Sequence, residues 1–295
     1  MDFIQSAIEK ARNERQKRGG DVPQHAAMSG AVSQPPPPLP EGSRTALWAS
    51  LPEISPSDSV LERHHIHARK RSGDATSFDI MRTKLLHQLR SNNWRRVAVT
   101  SPTPSCGKTT MAVNLGFSMA RQRDLSSMLL EFDLRRPSMA DMLGQTRPPH
   151  LADVLTGDAQ AEERLQRIGD NFAIGINARP EADSAELLQR VETGRIVDSI
   201  EARYAPDVMI FDMPPMMLAD DTLGFIDQID CVLLVTAAGS STLPEITRCS
   251  EELKSRCNFL GVVLNMCRFF ERGDAYGYGY GYGYGYGYGT EREGR

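Results

Sequence analysis

The sequence predicts an α/β fold, a doubly wound, mainly parallel sheet, and three observations predict it. Short apolar runs alternate with amphipathic stretches between residues 97 and 265. The runs are apolar throughout, the texture of parallel strands covered by helices on both faces. One of them, "VAVT" at 97–100, leads straight into "SPTPSCGKTT", a glycine-poor phosphate loop that opens a helix.

The strand-like runs are 97–100, 127–133, 172–176, 207–212, 231–236 and 259–265. Helical stretches lie between or before them: 77–93 ("SFDIMRTKLLHQLRSNN"), Thr109–Arg121, Ser184–Tyr204 and Pro244–Ser255. Together they give a P-loop NTPase-like domain over residues 76–270.

Two flanks differ in texture. Residues 1–75 read as a flexible arm, opening with "MDFIQSAIEKARNER", where Ile4, Ala7, Ile8 and Ala11 share one helical face. That short helix is either frayed or a docking element for a partner. "QPPPPLP" follows as a polyproline spacer that cannot join a core. "HHIHARKRSGD" then gathers three of the six histidines, not read as a metal site, beside a basic run that is either solvated or in contact with anionic lipid. Residues 271–295 carry tyrosines at 276, 278, 280, 282, 284, 286 and 288, alternating with glycine. Glycine at every second position opposes helix and weakens strand, so the expectation is a disordered tail.

Composition narrows the class. A net charge of −4 over 295 residues gives no reason to expect nucleic acid as a partner. The cysteines, at 106, 231, 249, 257 and 267, have no paired metal-type spacing, as expected of reduced thiols in a cytosolic protein. No apolar run reaches the roughly 18–20 residues of a membrane span, and no signal peptide opens the sequence. The expectation is a cytoplasmic protein that reaches a membrane through a partner.

The loop carries the chemistry. Ser105, Cys106, Gly107, Lys108, Thr109 and Thr110 fall where backbone amides and a helix dipole meet phosphate. Lys108 would reach the outer phosphates of a nucleotide and the Thr109 hydroxyl would bind Mg²⁺. Asp212 ends one strand and is placed to hold Mg²⁺ or its waters. Glu131 and Asp133 end another, two residues apart and so on one face, as metal ligand and as base toward an incoming hydroxyl. Cys106, at a helix N-terminus, is a candidate redox-sensitive thiol as well as a tolerated loop residue.

The set "TSPTPSCGKTT", "LLEFDLRRPSM", "VMIFDMPP", "LLVTAAGSSTLPEI" and "GVVLNM", with a tyrosine-rich tail, resembles the bacterial tyrosine kinases of capsule and exopolysaccharide synthesis. The likeness runs over roughly residues 78–290 and is to their stand-alone form. It implies a Walker A motif at 102–109, a Walker A′ at 131–133, a Walker B at Asp212, and Asn265 against the base of ATP. It further implies ATP and Mg²⁺ as cofactors and autophosphorylation at Tyr276, Tyr278, Tyr280, Tyr282, Tyr284, Tyr286 and Tyr288. Its implied partners are the cytosolic tail of an inner-membrane polysaccharide co-polymerase, a tyrosine phosphatase, and further copies of the chain through a helix at 78–90.

Three departures stand out. Glu131 replaces the usual aspartate, Ser105 takes the place of the glycine before the Cys106 turn with Pro102 as the loop's leading residue, and the ring-forming ExxRxxR pattern appears as Asp79, Arg82 and Leu85. The missing second arginine weakens the case for a closed ring. Two other functional classes remain in view. A partition- or septum-type NTPase switch would carry a cross-dimer lysine where Thr103 stands. A nucleotide-binding scaffold with degenerate kinase activity would present the tail as a low-complexity segment.

Overall fold

The computed structural model describes residues 41–267, and these hold the expected sheet. Its strands are β1 (Arg96–Thr100), β2 (Ser127–Glu131), β3 (Leu165–Ile168), β4 (Phe172–Gly175), β5 (Val208–Asp212), β6 (Cys231–Ala237) and β7 (Asn258–Asn265). They lie in the order β3-β4-β2-β5-β1-β6-β7. All neighbours are parallel except β3, which runs antiparallel to β4 at one edge. β2, β5 and β6 are buried along their whole length, which is why the sequence shows no alternation there.

Helices enclose both faces. Chain order runs α1 (Glu41–Ser50), α2 (Asp58–Arg63), α3 (Thr76–Asn92), α4 (Lys108–Ala120), α5 (Met139–Met142) and α6 (Ala152–Thr156). Then follow α7 (Ala161–Arg164), α8 (Ser184–Gln189), α9 (Val191–Tyr204), α10 (Asp221–Phe225) and α11 (Leu243–Arg256). One core layer centres on Phe132, Phe211 and Phe225, whose rings lie 4.8–5.5 Å apart. The other holds α4 between the sheet and α3, so α4 is buried almost all round rather than along one face. Gly116 makes that approach possible, because a β-carbon there would stand 2.4 Å from the Phe172 ring. α11 begins with a capping box, Thr242 and Glu245, followed by Pro244 in the first turn. Among the described residues no helix is long and apolar enough to cross a membrane.

The helical stretch expected at 184–204 is broken at Arg190, whose extended backbone (φ −65°, ψ 138°) separates α8 from α9. The strand expected at 127–133 ends at Glu131, and β3 went unread because "LQRI" is short and half-polar. The larger correction concerns the arm. Residues 1–40 and 268–295, including the amphipathic start, the polyproline run and all seven tail tyrosines, lie outside the described residues. Residues 41–75 do not behave as an arm: they are folded onto the domain.

The physical reason is a set of anchors that the polar surroundings hide. Trp48 is buried, meets Tyr204 edge to face at 6.3 Å, and donates its indole N–H to the Tyr204 carbonyl at 2.8 Å. Glu53 bridges to Arg167, and Ile54 N donates to the Arg167 carbonyl at 2.9 Å, extending the sheet edge by one contact. Farther on, the Asn114 side chain of α4 accepts from His67 N (2.9 Å) and Ala68 N (3.0 Å) and donates to the His65 carbonyl (3.0 Å). Arg69 and Lys70 of the basic run are paired with Asp58. Replacing Trp48 by Ala removes a buried indole and its hydrogen bond, so urea unfolding should show a loss of about 3–5 kcal/mol. A loss below about 1 kcal/mol would mean that residues 41–75 are not part of the cooperative unit.

Candidate active site

The carboxyl ends of β1, β2 and β5 bring the expected residues to one sheet edge, as the strand order requires. Residues 101–107 leave β1 and turn into α4. Ser105 (φ +62°) and Gly107 (φ +80°) both take left-handed backbone, curving the loop into a concavity of amides at the positive end of α4. Gly107 is required twice over. Its backbone is left-handed, and a β-carbon there would meet the Asn265 amide nitrogen at 2.3 Å.

Beneath the loop lies a compact charge cluster. Lys108 Nζ is 2.7 Å from Asp133 Oδ2 and 3.4 Å from Asp212 Oδ1. The Thr109 hydroxyl donates to Asp212 Oδ2 at 2.7 Å. All four groups are buried. Burial alone would lower the Lys108 pKa, but the Asp212 and Asp133 carboxylates outweigh it and hold the ammonium above its ordinary value. Burial pushes the Asp212 carboxyl up, and the Lys108 charge only partly offsets this. Two carboxylates thus share one cation, leaving a negative excess.

That donor set fits Mg²⁺. It offers hard oxygens, the Thr109 hydroxyl and the carboxylates of Asp133 and Asp212, at the floor of a phosphate loop. Among the described residues no three or more His, Cys, Asp or Glu gather into a metal cage. A magnesium ion needs none, because phosphate and water supply the rest of its shell. A cavity of about 400 Å³ opens above the cluster, lined by Ser105, Lys108, Thr109, Thr110, Asp133 and Arg136 among others.

Other expected residues lie elsewhere. Glu131 does not join the cluster. It is fully buried and accepts from Ser138 N (2.6 Å), Met139 N (2.8 Å) and Asn177 N (2.8 Å). The pairing with Asp133 on one face fails because β2 ends at Glu131, which leaves Asp133 beyond the strand. Cys106 is 1 % exposed, and its thiol donates to the Thr103 carbonyl at 3.2 Å and lies 3.5 Å from Ser241 Oγ. A thiol so enclosed is not the accessible redox group its position suggested. Asn265 braces the loop by donating to the Cys106 carbonyl at 3.0 Å.

Five residues of this region were not read as site residues. Arg135 donates through Nε to both oxygens of the buried Asp221, at 3.0 and 3.2 Å, and Ser184 donates to the same carboxylate. Arg136 N donates to Asp133 Oδ1 at 3.1 Å. Asn177 caps the end of β4 against β2. Both arginines follow Asp133 within three residues, past Leu134, a signal the sequence did hold; nothing local marks Asp221 or Asn177. The Asp79–Arg82 pair of α3 is engaged within the chain, Arg82 on the Ser118 carbonyl at 2.7 Å and Asp79 on Arg121.

A family model described as the NUBPL iron-transfer P-loop NTPase, of ParA type, matches residues 94–277, more than half of the chain. The chain is 27% identical over 252 residues to the putative tyrosine-protein kinase EpsB of Ralstonia nicotianae, covering 81% of this chain and 33% of that protein. It is also 27% identical to the tyrosine-protein kinase CpsD of Streptococcus pneumoniae serotype 4, over 60% of this chain and 78% of the relative. The chain thus spans about a third of the length of the curated relatives it matches first. The kinase domain of the Escherichia coli tyrosine kinase ETK shares the fold, with a TM-score of 0.61 and 23% identity over 73% of this chain and 81% of that one.

Glu131 should leave a signature in stability. Burial, the largest cause, pushes its carboxyl up to about 7 against the pull of the Met139, Asn177 and Ser138 amides, and the Asp212 charge adds to the rise. A carboxyl raised on folding binds its proton more tightly in the folded state. It therefore favours folding at low pH and loses that contribution as pH rises from about 4.5 to about 7. The loss is up to about 3 kcal/mol, and Glu131→Gln should flatten it in urea titrations between pH 5 and 8. An unchanged slope in the variant would assign the pH dependence to other groups.

Proposed function

The chain belongs to the ParA family of P-loop NTPases, in its bacterial tyrosine-kinase branch, and from that premise we propose that it transfers phosphate from ATP to tyrosine, first of all to its own tail. The observation that carries this reading is the buried cluster of Lys108, Asp133 and Asp212 under the phosphate loop, with Thr109 bonded to Asp212. Loop amides and the α4 dipole would hold the nucleotide phosphates. Thr109, Asp133 and Asp212 would hold Mg²⁺, which when bound neutralises charge on the phosphate oxygens. Lys108 would exchange a carboxylate for the outer phosphates. Asp133, relieved of Lys108, would take the proton of the tyrosine hydroxyl as its oxygen bonds to the γ-phosphorus and the bond to the ADP oxygen breaks.

The acceptor is inferred from where β7 ends. β7 runs parallel to β6, and Met266, just past its end, lines the cavity above Lys108. The last described residues therefore lie beside the site, and 268–295 follow them in sequence. A tail of that length has a reach on the order of 25–30 Å if flexible, against a domain radius of gyration of about 16 Å. Tyr276 to Tyr288 are then within range of their own site or a neighbour's. Each phosphate adds about −1.5 to −2 charges, so a fully modified tail would repel its like and alter association.

The biological setting in this reading is exopolysaccharide or capsule polymerisation and export. It places the chain in the cytoplasm, recruited to the inner membrane face by the cytosolic tail of a polysaccharide co-polymerase and opposed by a tyrosine phosphatase. Association between copies would use α3. Because Asp79 and Arg82 are engaged within the chain, the contact would rest on apolar residues such as the exposed Ile80, not on a charged ring.

Incubation with Mg-ATP followed by a phosphotyrosine blot should label the full chain, more strongly with the co-polymerase peptide present. Phe at all seven tail positions should remove the label. Lys108→Met should also remove it, and because it strands two buried carboxylates its stability should fall by about 3–5 kcal/mol. Folding must therefore be checked by circular dichroism at the assay temperature. Label persisting in the seven-Phe chain would rule out the tail as main acceptor; label persisting without Lys108 would remove the site assignment.

A further inference from the structure

Asp133, Arg135, Arg136 and Ser138 line the nucleotide cavity together with the phosphate loop, and the segment 133–139 is held along its length by bonds that each involve a carboxylate. Asp133 meets Lys108, Arg135 rests on Asp221, and Ser138 and Met139 donate their amides to Glu131. Of the three holds, the one at the far end is the least expected, because Glu131 is the residue whose type and place suggested a base. Its surroundings exclude that role. A base must reach the proton it takes, directly or through one water. Glu131 has no exposed surface, and both of its oxygens are occupied by backbone N–H groups.

We propose that Glu131 is a positioning residue, a latch that fixes residues 133–139 against the end of β4 so that Arg136 and Ser138 stand in place at the cavity. The latch has two sides. Oε1 holds the amides of Ser138 and Met139, while Oε2 holds the amide of Asn177. The backbone repeats the tie: the Asn177 side chain donates to the Glu131 carbonyl at 2.9 Å and accepts from Ala152 N at 3.0 Å. Ser138 and Met142, just before and at the end of α5, both line the cavity, so releasing the Ser138–Met139 amides loosens its wall. The length of the side chain matters here. Shortened by one methylene, a carboxylate on β2 would give up one side of the latch, and restoring aspartate, which suits a base, would weaken the site. This proposal rests on the preceding reading only in taking Mg-nucleotide as the cavity's ligand.

The test uses the full chain as wild type, Glu131→Asp and Glu131→Gln. Isothermal titration with Mg-ADP, steady-state phosphotransfer kinetics and hydrogen exchange at Ser138 and Met139 are measured on the same preparations. Both variants should bind Mg-ADP about tenfold more weakly, the scale of losing a residue that orients a direct ligand. KM for Mg-ATP should rise in step and kcat should stay within about threefold. The Ser138 and Met139 amides should exchange faster while the strand amides stay protected. Glu131→Asp supplies the folded comparison if Glu131→Gln does not fold. Three results would overturn the proposal: Mg-ADP affinity unchanged in folded Glu131→Asp, a gain in kcat with aspartate, or a hundredfold loss of kcat at constant KM. Wild-type chain that binds Mg-ADP but transfers no phosphate would defeat the kinase reading while leaving the affinity comparison intact.

Discussion

A lysine ammonium buried with two carboxylates at the end of a parallel sheet is the constraint around which the rest of this domain is arranged. Each charge alone would be expensive to remove from water, and a buried pair is tolerated only where hydrogen bonds complete it. Lys108 supplies one positive charge, and the Thr109 hydroxyl takes up a second lone pair of Asp212. Asp133 is steadied by the amide of Arg136. The arrangement demands that β1, β2 and β5 lie side by side with their carboxyl ends aligned, which they do in the order β2-β5-β1. It also demands that α4 begin immediately above them, which the left-handed turns at Ser105 and Gly107 achieve. The remaining negative excess suits the same residues to a divalent cation. Folding and function thus use one set of charges in two ways.

The segment 41–75 shows how far that domain extends. Its anchors are single side chains separated by polar stretches: Trp48 on Tyr204, Leu61 in the layer beside α4, and the backbone at His67 and Ala68 on Asn114. Asn114 is fully buried in α4, a helix otherwise apolar at its centre. A buried amide in such a place is costly unless its bonds are made, and here residues 65–68 make them. The strap therefore completes α4, and α4 carries Lys108 and Thr109. Residues far from the phosphate loop in sequence contribute to it through one shared helix.

Much of this was legible in the sequence, and the rest was not for definable reasons. The six parallel strands and α4 could be read because apolar runs ending on Asp212 or leading into Gly107-Lys108-Thr109 are local patterns. β3 could not, because an antiparallel edge strand of four half-polar residues has no such pattern. The strap was misread because its evidence is dispersed: one tryptophan, a few aliphatic residues and backbone hydrogen bonds to a distant asparagine. Glu131 was misread for a different reason, while for Cys106 burial favours the tolerated loop residue over the reactive thiol. Residue type and position suggested reactivity, whereas burial and bonding partners decide it, and both depend on residues such as Ser241 and Asn177 that are remote in sequence.

The acidic residues of the site show most clearly why type alone does not assign a role. Asp133, Asp212, Asp221 and Glu131 all lie in or near strand-end loops, and each is buried. What separates them is the donor each one meets. Asp133 and Asp212 meet an ammonium that a phosphate can draw away, so their charge can be redirected when a ligand arrives. Asp221 meets the Arg135 guanidinium, a pairing that orients but keeps its cation. Glu131 meets only backbone amides, which cannot leave without unmaking the loop. Exchangeable partners suit chemistry and fixed partners suit scaffolding, and within this one sheet edge the division follows from the donors alone.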